Sequence, residues 1–80
     1  MKDTLHFIVS SIVDSPDAVV IDEHEEDGIL NFTITVAPED MGKVIGKEGK
    51  VIRSIRNSMK VKAMKHDTRI KISLAETSQA

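Results

Sequence analysis

Val44-Ile45-Gly46-Lys47-Glu48-Gly49-Lys50-Val51-Ile52 sets two glycines around two charged residues, with an apolar pair on either side. Ahead of it, Pro38-Glu39-Asp40 followed by Met41, Val44 and Ile45 reads as a short helix over 38–45, with Pro38 suited to its first position. Behind it, Val51, Ile52, Ile55 and Met59 recur at helical spacing, which predicts a second helix from Lys50 to Ala63. The glycines therefore join two helices in a very tight elbow. Gly46 can end the first helix with a positive φ. Gly49 carries no Cβ, so another chain's backbone can approach closely there. The second helix starts at the elbow with unpaired N–H groups and the positive end of its dipole, a combination that favours a phosphate. The alternative is an ordinary helical hairpin with glycines for sharpness.

Eighty residues allow one small domain, expected over 1–75, with a polar, unpatterned tail at 76–80 expected to be disordered. The chain has no cysteine, hence neither a disulfide framework nor a thiolate metal site. It has no apolar run long enough to span a bilayer and no signal-peptide pattern, so the expectation is a soluble cytoplasmic protein. The net charge is -2, but it is unevenly spread. Residues 1–40 hold one Lys, no Arg and ten acids; residues 41–80 hold ten Lys or Arg and three acids. A basic working surface on an acidic remainder is one reading. A solvated charged surface, or halves that pair with each other, is the other.

Leu5, Ile8, Val9 and Ile12 share a helical stripe over 3–14, capped by Asp3 or Thr4 and ended by Asp14-Ser15-Pro16. Phe7 lies off that stripe; a single exposed apolar residue is ordinary, and a partner contact is the alternative. Ala18-Val19-Val20-Ile21 reads as a strand that runs into the acidic stretch Asp22 to Asp27, a solvated hairpin closed by an Asp27-Gly28 turn. Over 29–37, Leu30, Phe32, Ile34 and Val36 alternate with Asn31, Thr33 and Thr35, the mark of a half-buried strand. Gly42 inside the next helix costs about 1 kcal/mol relative to Ala, which close packing against a neighbour would justify. In the helix after the elbow, Lys50, Arg53, Arg56 and Lys60 fall opposite the apolar stripe, and with Lys43 and Lys47 they make a phosphate-tracking patch or a solvated face. Ser54, Ser58 and Val61 form a small strip, read either as a subunit contact or as plain surface. Met64-Lys65-His66-Asp67 is a turn, and Ile70, Ile72 and Leu74 alternate with Arg69, Lys71 and Ser73 in a last strand. The order α-β-β-α-α-β predicts an α+β domain, a three-stranded sheet packed on one side by three helices.

This order resembles that of the KH family in its type II arrangement, usual in bacterial KH proteins. The core, strand–helix–GxxG–helix–strand, would span 29–74. The stretch Pro38 to Gly49 and the Asp14-Ser15-Pro16 break are similar to those of the KhpA-type small bacterial KH proteins. The resemblance implies an RNA-binding protein without catalytic activity, whose loop clamps about four nucleotides by the backbone. It implies an RNA chaperone or post-transcriptional role touching cell division and the cell envelope. It also implies homodimers, or heterodimers with a larger KhpB (Jag-like) KH protein. The site it implies is Lys43, Ile45, Gly46, Lys47, Glu48, Gly49, Lys50, Ile52 and Arg53, with Ile45, Ile52 and the middle strand as an apolar floor for bases. Glu48 is a departure, since an acid beside Lys47 opposes phosphate attraction.

Two other readings compete with RNA binding. A KH fold turned mainly to dimerisation or scaffolding is favoured by Glu48 and the acidic first half. An enzyme is poorly favoured: no catalytic residue, metal site, cofactor or small-molecule substrate is expected, and no membrane contact. His6, His24 and His66 are scattered; Asp22–Gly28 lacks the alternating ligands of an EF-hand; and Gly46–Lys50 lacks P-loop spacing.

Overall fold

The computed structural model describes residues 1–75. Helix α1 (Lys2–Ser10) leads into a 3-10 turn at Pro16–Ala18 and then strands β1 (Val20–Glu26) and β2 (Ile29–Thr35). A second 3-10 turn, Pro38–Asp40, precedes helix α2 (Met41–Ile45). A third, Lys47–Gly49, precedes helix α3 (Lys50–Lys65), and strand β3 (Arg69–Leu74) closes the domain. The expected tail at 76–80 lies outside the described residues.

The sheet order is β1-β2-β3. The β1–β2 pair is antiparallel and closed by Asp27 (φ 54) and Gly28 (φ 78), the two successive positive φ values of a primed hairpin turn. Strands β2 and β3 are parallel, which demands a crossover, and residues 36–68 supply it through α2 and α3. Register follows the period of two. Phe32 stands between Glu23 and Ile72, and Ile34 between Ile21 and Leu74. Ile21, Phe32, Ile34 and Ile72 are buried beneath Leu5 and Val9 of α1, Val44 of α2, and Ile52, Ile55 and Met59 of α3. Each large side chain fully buried there contributes roughly 1.5–3 kcal/mol. The other sheet face carries Asp22, His24 and Glu26 on β1 and Arg69 and Lys71 on β3, all exposed. This is the expected α+β layering, with the helices on one side of three strands.

Several local expectations change. The first helix stops at Ser10, not at residue 14. The Ser11 hydroxyl donates to the Ile8 carbonyl at 2.8 Å, and the Val9 carbonyl is shared between the N–H groups of Ile12 (3.0 Å) and Val13 (3.3 Å), beyond which the ladder does not continue. Met1 stands at its cap position and no side chain caps it, so neither Asp3 nor Thr4 does that work. The first strand runs over Val20–Glu26 and not 18–21, so the acidic run forms one arm of the hairpin: the two-residue turn pairs Glu26 with Ile29 and carries the ladder back to Val20. An edge strand tolerates those acids because every residue from Asp22 to Glu26 faces solvent. Helix α3 continues through Met64 and Lys65, and Asp67 at φ 55 makes the stop. A Cβ at Gly42 would meet nothing within 4 Å, so close packing does not explain that glycine.

Candidate nucleic-acid interface

The elbow is built from three unusual backbone conformations in four residues. Gly46 lies at φ 76, ψ 175, and a Cβ there would overlap the Val51 side chain at Cγ2. Only glycine allows α2 to end so close to the first turn of α3. Glu48 (φ 58) and Gly49 (φ 74) follow in the left-handed region, and open space surrounds the position of a Gly49 Cβ. Gly46 N–H donates to Gly42 at 2.8 Å and Gly49 N–H to Gly46 at 3.2 Å. The Lys50 N–H donates to Lys47. The N–H groups of Lys47 and Glu48 find no acceptor among the described residues, and both residues are exposed. Two free donors thus stand at the positive end of a sixteen-residue helix.

The cations divide into two kinds. Lys47, Lys50 and Arg53 are exposed and have no ion-pair partner among the described residues. Lys43 is engaged: its ammonium bonds the Asp14 carboxylate and lies 3.9 Å from Asp40 Oδ1. The hydrogen bond that Lys43 donates to Asp14 raises its pKa, and the charges of Asp14 and Asp40 add to that. Asp40 is fully buried, and its two oxygens accept the N–H groups of Asp14 (3.2 Å) and Ser15 (3.0 Å). The sequence placed Lys43 in the phosphate patch; the fold gives it two acids as partners.

From the elbow, Arg53, Asn57 and Lys60 succeed one another along α3 at helical spacing and lead into a groove between α3 and β3. Arg56, Asn57, Lys60 and residues 70–73 line it, around a volume of about 490 Å³. Arg56 Nε donates to the Ile72 carbonyl at 3.2 Å and ties the helix to the strand. Arg56 and Lys60 of the cationic arc therefore face β3. A second hollow of about 430 Å³ extends it past Ala63, Met64 and Thr68, with Ile29 and Arg69 on its other side. The expected apolar floor is corrected accordingly. The middle strand has Phe32 and Ile34 sealed under the helices, and Ile52 is only 8% exposed within the core. Ile45, at 37%, is the one residue of that floor with open surface. The accessible strand is the edge strand β3, because β2 sits between two neighbours.

Ser54, Ser58 and Val61 lie on the flank of α3 away from β3, and all three are exposed, Val61 by 55%. Lys62 Nζ donates to Thr4 Oγ1 at 3.0 Å on this side, joining α3 to α1, where Phe7 is 73% exposed. No group of three or more potential metal ligands occurs among the described residues, and no helix there is long and apolar enough to cross a membrane. Sequence reasoning missed the Asp40 tie and the β3 groove. The alternation of Arg69-Ile70-Lys71-Ile72 was the only signal for the groove, and nothing in it says that β3 is an edge.

The profile of a family described as KhpA/KhpB, KH domain, matches residues 2–74. A protein of Clostridium acetobutylicum named RNA-binding protein KhpA is 40% identical over 74 residues, covering 92% of this chain and 99% of that protein. Its namesake in Listeria monocytogenes is 37% identical over 76 residues, 95% of this chain and 100% of its own. That of Caldanaerobacter subterraneus subsp. tengcongensis is 40% identical over 70 residues, 88% and 93% of the two chains.

Proposed function

The chain belongs to the KhpA/KhpB KH-domain family, a non-catalytic one, and on that footing we propose that it binds single-stranded RNA through the elbow and the α3–β3 groove. The free N–H groups of Lys47 and Glu48 carry this reading. A phosphate seated on them lies at the α3 terminus, where the helix dipole adds attraction. Lys47, Lys50 and Arg53 contribute charge whose effect falls as salt rises. Bases then run along β3, against the half-buried Ile70, under the rim of Arg56 and Lys60. Of the two phenylalanines, Phe32 is buried and Phe7 sits on α1, so neither offers a stacking platform in this groove and sequence preference is weak. Glu48 projects an acid beside the site and lowers its affinity.

The test is ultraviolet crosslinking to a short single-stranded RNA. The double substitution Lys47→Asp, Glu48→Asp abolishes crosslinking with an unchanged far-UV circular dichroism spectrum. Crosslinking at the level of the unaltered chain overturns the elbow mechanism. Binding is also lost on moving from low to moderate salt; a salt-independent or absent signal favours the scaffold reading.

Pairing with a second copy or with a KhpB (Jag-like) protein through Ser54, Ser58 and Val61 is part of the same proposal, supported by the exposure of Val61. Val61→Lys yields monomer in light scattering; a dimer that survives it uses another surface. Action in the cytoplasm as an RNA chaperone or post-transcriptional regulator of division and envelope genes rests on the family resemblance.

A further inference from the structure

We propose that Asp40 is a positioning residue for the elbow: its buried carboxylate clamps the Asp14–Ser15 backbone and so sets how α2 presents Gly46–Gly49 to a phosphate chain. This rests on the elbow being the nucleic-acid contact. Helix α2 has five residues, too few to hold a geometry of its own, and Val44 is its single buried one. A second anchor is needed, and Asp40 sits at its start. Asp40 is the one buried charged side chain among the described residues. Each of its oxygens accepts one of two successive N–H groups from a segment 25 and 26 residues earlier, in charge-assisted bonds. Lys43 completes the cluster, 3.9 Å from Asp40 and bonded to Asp14. It serves as the counter-ion of a buried charge, which otherwise would be costly. Lys43 is thereby withheld from the phosphate-binding cations.

Two neighbouring acids of equal charge then have opposite roles. By Coulomb's law alone, removing either one beside a cationic site strengthens polyanion binding. Asp14→Asn removes an exposed charge, leaves its backbone N–H on Asp40 and releases Lys43. Asp40→Asn also removes a charge, but its amide nitrogen meets an N–H donor where an oxygen accepted one. The clamp is lost, the competent elbow is less populated, and apparent affinity drops by the same factor.

The experiment is a fluorescence-anisotropy titration of a labelled oligouridine with the full chain and both variants at two salt concentrations. Asp14→Asn binds at least as tightly as the unaltered chain, with a salt slope steeper by up to about 0.7 for one more cation on a single strand. Asp40→Asn binds more weakly by about tenfold or more, the population change for losing one charge-assisted hydrogen bond. In that variant, amide hydrogen exchange accelerates at the bonded elbow amides of Gly46, Gly49 and Lys50 while the β2 amides keep their protection. Equal or tighter binding by Asp40→Asn, or unchanged exchange at the elbow, overturns the proposal. Should Asp40→Asn melt below the assay temperature, Asp40→Ser, which keeps one acceptor, carries the same two readouts. Absence of binding by the unaltered chain itself is a failure of the RNA reading, and the exchange measurement still decides the clamp.

Discussion

Asp27-Gly28 and Glu48-Gly49 are the same local object in two settings. Each is an acid with a glycine after it, with φ of 54 and 78 in one pair and 58 and 74 in the other. In the hairpin, flanking residues Glu26 and Ile29 pair with each other, and the turn only reverses the chain. In the elbow, the left-handed pair opens a sixteen-residue helix, and the two N–H groups before Gly49 stay free. Their surroundings differ in sign. Acids crowd β1, whereas Lys47, Lys50 and Arg53 surround the elbow. A left-handed acid–glycine pair is therefore no site in itself. The long helix that starts at the elbow, and the positive charge around it, give this pair its capacity for an anion.

Substitutions at the four glycines test that contrast. Gly46→Ala has the largest effect. It forces a Cβ into Val51 at a positive φ, costing about 2–4 kcal/mol, read as a shift of the urea midpoint. A midpoint equal to that of the unaltered chain means the α2–α3 contact is looser than described. Gly49→Ala and Gly28→Ala each cost about 1–2 kcal/mol, since both have positive φ and open space around the new methyl group. Their stability losses match, but only Gly49→Ala is expected to weaken RNA retention on a filter, because its methyl group would stand on the proposed path of the sugar-phosphate chain. Equal loss of retention in both would reduce the elbow to an ordinary turn. Gly42→Ala has the smallest effect and the opposite sign. Its helical position is unstrained and unobstructed, so it stabilises by about 0.5–1 kcal/mol in the same urea titration.

Much of this domain was legible because its signals are local. The alternation from Leu30 to Val36, the stripe Ile52, Ile55, Met59 and the glycine spacing are properties of neighbours along the chain, and the elements appeared where those periods put them. Strand β1 was misread from Asp22 onward because acids are poor strand formers. Counting pairs back from Asp27-Gly28 would have found it, since seven residues of β2 need seven opposite them. The end of α1 was misread because Ile12 continues the apolar stripe beyond Ser10, where the regular helix stops. The site divides in the same way. The elbow and its free cations were legible, but the role of Lys43 was not. Its partner Asp14 is 29 residues away, and spacing along a chain carries no information about that.

The residue order was sufficient to specify the positive φ at Gly28 and Gly46, the apolar face of each element, and the split into acidic and basic halves. These depend on steric limits and side-chain character within a few residues. Strand order, and with it the choice of β3 over β2 as the open edge, came from packing, as did the burial of Asp40 and the capture of Lys43. A periodic pattern states which face must leave water, whereas the neighbour that covers it is chosen only when distant segments compete for the same space.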